Sequence, residues 1–345
     1  MNPRRRRLLI PGLLVVLLAV VAVVSFSRGA WAVEAVPDVE PLGVVDDARI
    51  TESSGLALSE DDPDLAYTVN DSGNVDAVYA VELSTGAVVG VTRMSGTDWV
   101  DTEALALHDG TLWVADVGDN AGQREEVSLY SLDEPGRGDS TLAPRRHRLQ
   151  HPGGPADVES LAVDPTSGRM LLVTKQLLEG SLLALAADPP LDEVTTLEEV
   201  DVTTLSLATD AAWTPDGRHL VVRNYGEAQV LDPDSGDVIT TFALPDQEQG
   251  ETLAVAPDGR SIVIGTEGRP SPLLRVALDL PESESDPGPL ANASSTDQPA
   301  PGIPDEEIGR RWLTPVMSLA ALGVLALVTV WMERSPRRRK KRRRR

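Results

Sequence analysis

Five heptapeptides decide the reading of this chain: ESSGLAL (52–58), DTEALAL (101–107), DVESLAV (157–163), ATDAAWT (208–214) and QGETLAV (249–255). Each places polar, mostly acidic residues before a short apolar run. After each comes a tight turn: SEDDPD, HDG, DPTSGR, TPDGR or APDGR. A second apolar run comes next: LAYTVND (65–71), TLWVADV (111–117), RMLLVTK (169–175), RHLVVRN (218–224) and RSIVIGT (260–266). Asp-Gly or Ser-Gly between two apolar runs is a strong hairpin signal.

Third strands are expected at AVYAVEL, VSLYSLD, SLLALAA, AQVLDPD and PLLRVAL. Outer strands are expected at GAVVGVTRM, LEEVDVTTLSL and DVITTFAL, and less clearly at RRHRLQH. The repeats begin 49, 56, 51 and 41 residues apart. Four short strands per unit of that length is the signature of a β-propeller blade. The expected fold is all-β, a five-bladed propeller over residues 36–281, with six blades or a β-sandwich as the alternatives. The fifth unit lacks an outer strand of its own. The segment PLGVVDDARI (41–50) is the expected supplier, because a ring that closes leaves no open sheet edge.

The flanks are different in kind. Arg4–Arg7 precede a run from Leu8 to Phe26 that is almost wholly apolar, and Ala30-Trp31-Ala32 comes after it. Residues 1–32 read as a secretory signal or as an uncleaved signal anchor. Residues 282–311 are rich in Pro, Ser, Asp and Glu and read as a disordered stalk. Residues 312–332 are apolar with Trp near both ends, long enough for a transmembrane helix. The tail 333–345 is basic, and the positive-inside tendency puts it in the cytoplasm against anionic lipid. The expected location is the cell membrane, single-pass after signal cleavage, with the propeller extracytoplasmic.

Charge sharpens the division. Of 31 Lys and Arg residues, five precede residue 29 and ten come after residue 333, whereas all but one of the 54 acids lie between, so the middle carries about −37. Such a surface repels nucleic acid and attracts cations. With no Cys and only four His, thiolate chemistry is excluded and transition-metal sites are disfavoured. The chain has no G-x-S-x-G, Walker A or H-E-x-x-H motif. No catalytic residue can be assigned.

Aligned on their Leu or equivalent residue, the first strands show two polar columns: Glu52, Asp101, Asp157, Ala208 and Gln249, then Ser54, Glu103, Glu159, Asp210 and Glu251. Residues two apart on a strand share a face. The second strand returns to the same rim, bringing Asn70, Asp71, Asp116, Asp119, Lys175, Arg223 and Glu267 towards it. From these columns, Glu52, Asn70, Asp71, Glu103, Asp116, Asp119, Glu159, Lys175, Asp210, Arg223, Glu251 and Glu267 are candidate ligand-binding residues. Carboxylates gathered around a narrow axis need a cation, a proton or a basic partner. Calcium is the ion suited to them, with Glu103, Glu159, Asp210 and Glu251 as its candidate ligands. The competing reading is structural, with the acids capping turns.

The motifs ESSGLALS, LAYTVNDSG and VYAVELSTGAVVG, with DTEALAL and DVESLAV, resemble the extracellular propellers of the SdiA-regulated and esterase-like phytase types, over roughly residues 45–280. That resemblance implies a WD40-like propeller and, for the phytase type, calcium and acidic clusters acting on phosphate esters. Glu103, Glu159 and Asp116 match its acidic character, but the dense Lys and Arg that a highly phosphorylated substrate requires are missing. Two functions fit these features. One is a binding or scaffold module facing an envelope protein, a wall polymer or a small ligand. The other is a calcium-dependent phosphoesterase or lactonase-type hydrolase at the channel mouth.

Overall fold

The computed structural model describes residues 37–280. The signal or anchor, the stalk, the transmembrane helix and the basic tail expected from the sequence lie outside the described residues. Among the described residues every regular element is a strand.

Strand β1 (Val39–Val45) comes first in the chain and belongs to the last blade. Blade 1 is β2 (Ser53–Leu58), β3 (Leu65–Asn70), β4 (Ala77–Glu82) and β5 (Val88–Met94). Blade 2 is β6 (Thr102–His108), β7 (Thr111–Asp116), β8 (Val127–Asp133) and β10 (Arg145–Gln150), with β9 (Ser140–Leu142) in the connection before β10. Blade 3 is β11 (Val158–Val163), β12 (Met170–Thr174), β13 (Gly180–Leu185) and β15 (Glu198–Thr204), with β14 (Val194–Thr196) before β15. Blade 4 is β16 (Asp210–Trp213), β17 (Leu220–Arg223), β18 (Glu227–Leu231) and β19 (Val238–Ala243). Blade 5 is β20 (Thr252–Val255), β21 (Ser261–Gly265) and β22 (Ser271–Ala277), completed by β1 pairing antiparallel to β22.

The innermost strands meet in a closed cycle, β2 to β6 to β11 to β16 to β20 and back to β2. Five blades is therefore the count, and both the six-bladed and the sandwich alternatives fall. The N-terminal segment closes the ring as the sequence suggested, although the strand starts at Val39 and stops at Val45, before the turn over Asp47–Ile50. The uncertain outer strand of blade 2 is real, with Arg145–Gln150 pairing antiparallel to β8.

Strands β9 and β14 are not visible in the repeat pattern. Each pairs in parallel with the outer strand of the preceding blade, β9 on β5 and β14 on β10. They cover edges that would otherwise offer unpaired backbone groups.

The core is divided into five apolar clusters, one at each seam. Tyr67, Val69, Leu112 and Tyr130 lie between blades 1 and 2, and Leu129, Leu149, Leu161 and Leu172 between blades 2 and 3. Leu171, Leu182, Leu220 and Val222 fill the third seam, and Val221, Phe242, Ile262 and Val276 the fourth. At the closing seam Ile50, Leu56 and Tyr79 meet Val263 and Leu273. Because each blade buries both faces, its middle strands are apolar without alternation, as β3 and β12 are along most of their length.

The closing seam has a backbone fastening as well. Gly43 N donates to Leu83 O at 2.7 Å. A Cβ on Gly43 would strike the backbone of Thr85 and Gly86, and one on Gly86, which sits at φ +76°, would strike the backbone of Val44. Only bare backbone fits where β1 crosses the β4–β5 turn.

Three alanine substitutions separate the contributions at this seam. Gly73→Ala carries only the left-handed φ of its site (+75°), with open space around it, and is expected to destabilise by about 1–2 kcal/mol. Gly43→Ala introduces only the clash, expected at about 1–3 kcal/mol. Gly86→Ala introduces both, and its thermal midpoint is expected below those of the other two. Equal midpoints for Gly86→Ala and Gly73→Ala would remove the close approach from the closure.

Candidate functional site at the acidic mouth

The axial channel is chemically two-ended. The first-to-second-strand turns surround a largely apolar cavity of about 330 Å³, lined among others by Leu56, Leu105, Leu161 and Trp213. The opposite end, where the inner strands begin, holds a polar cavity of about 180 Å³. Blade 1 gives it Ser53, Ser54 and Asp71, blade 2 gives Glu103 and Asn120, blade 3 gives Glu159 and Lys175, and blade 5 gives Gln249, Glu251 and Glu267. Five carboxyl groups thus face one ammonium. Lys175 is the only lysine between residues 37 and 280.

Glu103, Glu159 and Glu251 are buried where the inner strands start. Ser54 Oγ donates to Glu103 O at 2.7 Å and to Glu103 Oε2 at 3.1 Å, across the blade 1–2 seam. Lys175 Nζ lies 2.9 Å from Glu159 Oε2 and 5.7 Å from the centre of the Tyr225 ring. The other carboxylate oxygen, Glu159 Oε1, is buried with no hydrogen-bond partner. Gln249 Nε2 donates to Glu251 Oε1 at 3.2 Å and also to Glu267 Oε2.

Burial and mutual repulsion act on these groups together. Burial, and then the charges of Glu159, Asp71 and Asp101, push the Glu103 carboxyl far above the usual range. Glu159 is raised by burial despite Lys175, and Glu251 is raised by burial. Glu267 is pushed up to about 7 by burial and then by Glu251 and Asp71. Burial pulls Lys175 down, but Glu159 and Glu251 outweigh it and the ammonium is held above its ordinary value.

Three carboxylates at the blade 1–2 seam form a tighter group. One oxygen each from Asp71, Asp101 and Glu103 lies within 4.8 Å of the others, and this acidic triad could hold a metal ion. Gly118 makes room for it. A Cβ there would come within 2.7 Å of Asp101 Oδ2 and of Glu103 Oε1.

The remaining candidates are placed elsewhere. Asn70 and Asp116 end the second strands of blades 1 and 2 and cap the loops entering the first strands. Asn70 Oδ1 accepts from Thr51 N and Glu52 N at 3.0 and 3.1 Å, while Asp116 Oδ1 accepts from Val100 N and Asp101 N at 3.2 and 2.9 Å. Asp116 also pairs with Arg124 at 2.9 Å. Asp119 accepts from Gln123 N and Arg124 N at 2.9 and 2.8 Å. Glu52 accepts from Asn74 Nδ2 at 2.6 Å.

Asp210 and Arg223 face each other across β16 and β17 and are not in the cavity lining. Asp210 is fully buried and accepts from Ala211 N at 2.8 Å and Leu253 N at 2.5 Å. Arg223 has no exposed surface and donates to Thr252 O at 2.9 Å and to Gln247 Oε1 at 3.0 Å. Its guanidinium lies against Gly250, where a Cβ could not fit. Burial lowers it to about 10, so it remains a cation at neutral pH. Of the four residues assigned to calcium from sequence, Glu103, Glu159 and Glu251 share the mouth and Asp210 does not. Asp101, which stands in the first column but outside the candidate set, joins Asp71 and Glu103 instead.

The sequence matches no described protein family and no curated protein. The resemblance to the SdiA-regulated and phytase-like types therefore rests on short motifs, and the part of it that the structure carries is the five-bladed propeller.

The geometry yields two expected outcomes. A carboxyl raised above its unfolded value stabilises the fold fully below that unfolded value and loses the contribution as pH rises through the folded one. For Glu267 that window runs from 4.5 to about 7, and Glu103 and Glu159 extend it upward. In the absence of added divalent metal the thermal midpoint is expected to fall from pH 5 to pH 9, and Glu103→Gln to flatten the fall. A midpoint that rises across this range contradicts the assignment.

The buried pair of blade 4 is tested separately. Burial holds the Asp210 carboxyl well above its usual range, and Arg223→Met removes the nearby cation together with the donors to Thr252 O and Gln247 Oε1, at an expected cost of about 1–3 kcal/mol. Adding Asp210→Asn should recover part of it, as read from denaturant midpoints. No recovery would show that the two residues are energetically independent.

Proposed function

We propose that this protein is a membrane-anchored, extracytoplasmic binding module whose ligand enters the acidic mouth of the propeller. The observation that carries the reading is the mouth itself, a polar cavity built by four blades in which five carboxyls face one ammonium. Acceptors outnumber donors there, so the fitting ligand brings positive charge or many donor hydrogens. A basic segment of an envelope protein, a hydroxyl- or amine-bearing wall polymer and a small polar cation all meet that description. Calcium is the ion that would offset the remaining carboxylate charge, because it accepts carboxylate, amide and water oxygens in flexible geometry.

The path of the chain supports the anchored arrangement. Val39 pairs with Val276, and β22 runs towards the same end as the turns lining the apolar cavity. The chain thus enters and leaves the propeller on the face opposite the mouth. The apolar run at 312–332 and the basic tail beyond it supply the membrane span and a cytoplasmic contact with anionic lipid.

A hydrolase is the second reading. It is favoured by the coexistence in one cavity of a carboxyl held strongly towards its neutral form, Glu103, and one paired with an ammonium, Glu159. Glu103 is thereby suited to donate a proton, and the Lys175 ammonium offsets part of the burial that raises Glu159.

Protease added to intact cells is expected to digest the propeller while a tag on the basic tail stays protected. A tag cleaved from outside would reverse the orientation. Immobilised protein is expected to retain an envelope component that a Glu251→Gln/Glu267→Gln variant releases, and equal retention by both would remove the mouth from binding. Calcium-dependent turnover of phosphate esters or lactones, abolished by Glu103→Gln, would instead select the hydrolase.

A further inference from the structure

We propose that Leu177, Leu178, Leu207 and Tyr225 form an apolar patch beside the acidic cavity, and that patch and cavity together dock a protein segment presenting a lysine or arginine flanked by large apolar side chains. The inference rests on the reading of the mouth as a binding site and names the class of partner.

Exposure comes first. Among the described residues nine large hydrophobics stand exposed, and six of them, Val75, Val100, Leu177, Leu178, Leu207 and Tyr225, lie in loops at the mouth end of the blades. The first-to-second-strand turns at the opposite end contribute none. Leu177 and Leu178 are 77 and 84 % exposed, side by side in the loop between β12 and β13. Single exposed apolar residues are ordinary, but a group of them on one surface marks a place of contact.

Hydrogen bonds join these loops into one surface. Leu207 N donates to Gln176 O at 2.7 Å, which ties the β15–β16 loop to the loop bearing both leucines. Asn224 Nδ2 donates to Ser206 O at 3.2 Å and ties in the loop of Tyr225. The Tyr225 ring lies 5.7 Å from Lys175 Nζ, and that ammonium pairs with Glu159 in the cavity wall. The patch is therefore continuous with the acidic cavity on the side of blades 3 and 4.

Leu207 gives independent support. It holds φ +53°, a left-handed conformation that leucine rarely adopts, with its side chain on the surface. Full burial in the core does not offset that strain. Strain retained at an exposed apolar residue points to a surface kept for function.

Charge selects the occupant. Five carboxyls against one ammonium favour a basic partner and repel an anionic bilayer. A second copy of the chain would bring the same acids to the contact. The apolar patch has nothing to cover it in a small polar cation or a hydroxyl-rich polymer, so the partner is a peptide segment with both characters.

The test places the full chain in phosphatidylcholine nanodiscs and titrates fluorescein-labelled peptides, read by polarisation. Gly-Leu-Gly-Lys-Gly-Leu-Gly puts Leu, Lys and Leu on one face of an extended chain. It is expected to bind at least about tenfold tighter than Gly-Ser-Gly-Lys-Gly-Ser-Gly, the effect of covering a leucine-sized apolar area. Leu177→Ser/Leu178→Ser changes two side chains that stand in water, and is expected to erase that gain and leave the thermal midpoint in place. Leu207→Asn suits the left-handed backbone and is expected to weaken the leucine peptide without lowering the midpoint. Glu251→Gln/Glu267→Gln should weaken both peptides alike. Equal affinity for the two peptides, or a gain that survives Leu177→Ser/Leu178→Ser, overturns the patch, while continued dependence of the serine peptide on Glu251 and Glu267 leaves the mouth standing as a binding site. Binding of neither peptide overturns the docking of a basic segment outright. Pairing of nanodiscs, or capture of phosphatidylglycerol vesicles, that is lost in Leu177→Ser/Leu178→Ser would assign the patch to a second copy or to a lipid surface and equally overturn it.

Discussion

A blade of this protein has two apolar faces and can bury them only between two other blades. That constraint governs the rest of the structure. An open row of five would leave one face of the first blade and one of the last in water, each carrying half of a seam cluster. The row must become a ring, and the fifth blade has only three strands of its own. The N-terminal strand therefore crosses to β22, and the chain closes on itself through a backbone contact at Gly43 and Gly86. Folding is thus obliged to bring residues near 40 and 275 together, a long-range pairing of the slow kind.

Closure also creates the site. Five inner strands run in the same sense around the axis, so the residues that precede their apolar runs gather at one end. In this sequence those residues are mostly carboxylates. The opposite end gathers the residues after the runs, which are largely apolar and include prolines at 165, 215 and 257. The two-ended channel is thus a direct product of a sequence repeat and of ring symmetry, with no further device required.

The architecture was legible because its signals are local and repeated. Heptapeptides such as DTEALAL and DVESLAV, hairpin turns such as PDGR, and an orphaned outer strand together gave the blade count and the closing segment. Strands β9 and β14 were not legible, since three residues pairing in parallel with a neighbouring blade leave no periodic trace. The site was half legible. Column alignment placed Glu103, Glu159 and Glu251 in one mouth. It could not separate the acids that face the cavity from those whose oxygens are taken up by nearby backbone amides. Asn70, Asp116 and Asp119 have the same sequence character as Asp71, yet their side chains cap loops. Asp210 occupies the same column as Glu103 but is one methylene shorter, and its carboxylate accepts from Ala211 N and Leu253 N within the wall. Only coordinates distinguish a cap from a ligand when both are acids at a strand end.

The distribution of countercharge explains why the mouth is asymmetric. Blade 4 places Arg223 opposite Asp210 in the strand register inside the wall, where the guanidinium bonds Thr252 O and Gln247 Oε1, and blade 3 pairs Lys175 with Glu159 at its surface. On blade 2, Arg124 is committed to Asp116 and to the carbonyls of Gly118 and Asp116. Blade 5 softens Glu251 and Glu267 with the amide of Gln249. That leaves the blade 1–2 seam, where Asp71, Asp101 and Glu103 approach one another with no ion pair to a protein cation among the described residues. Repulsion at that separation grows with each ionisation, so the seam either retains protons or recruits a cation from solution. The stretch between residues 29 and 332, which carries about −37, attracts cations, and the uncompensated seam adds to that attraction locally.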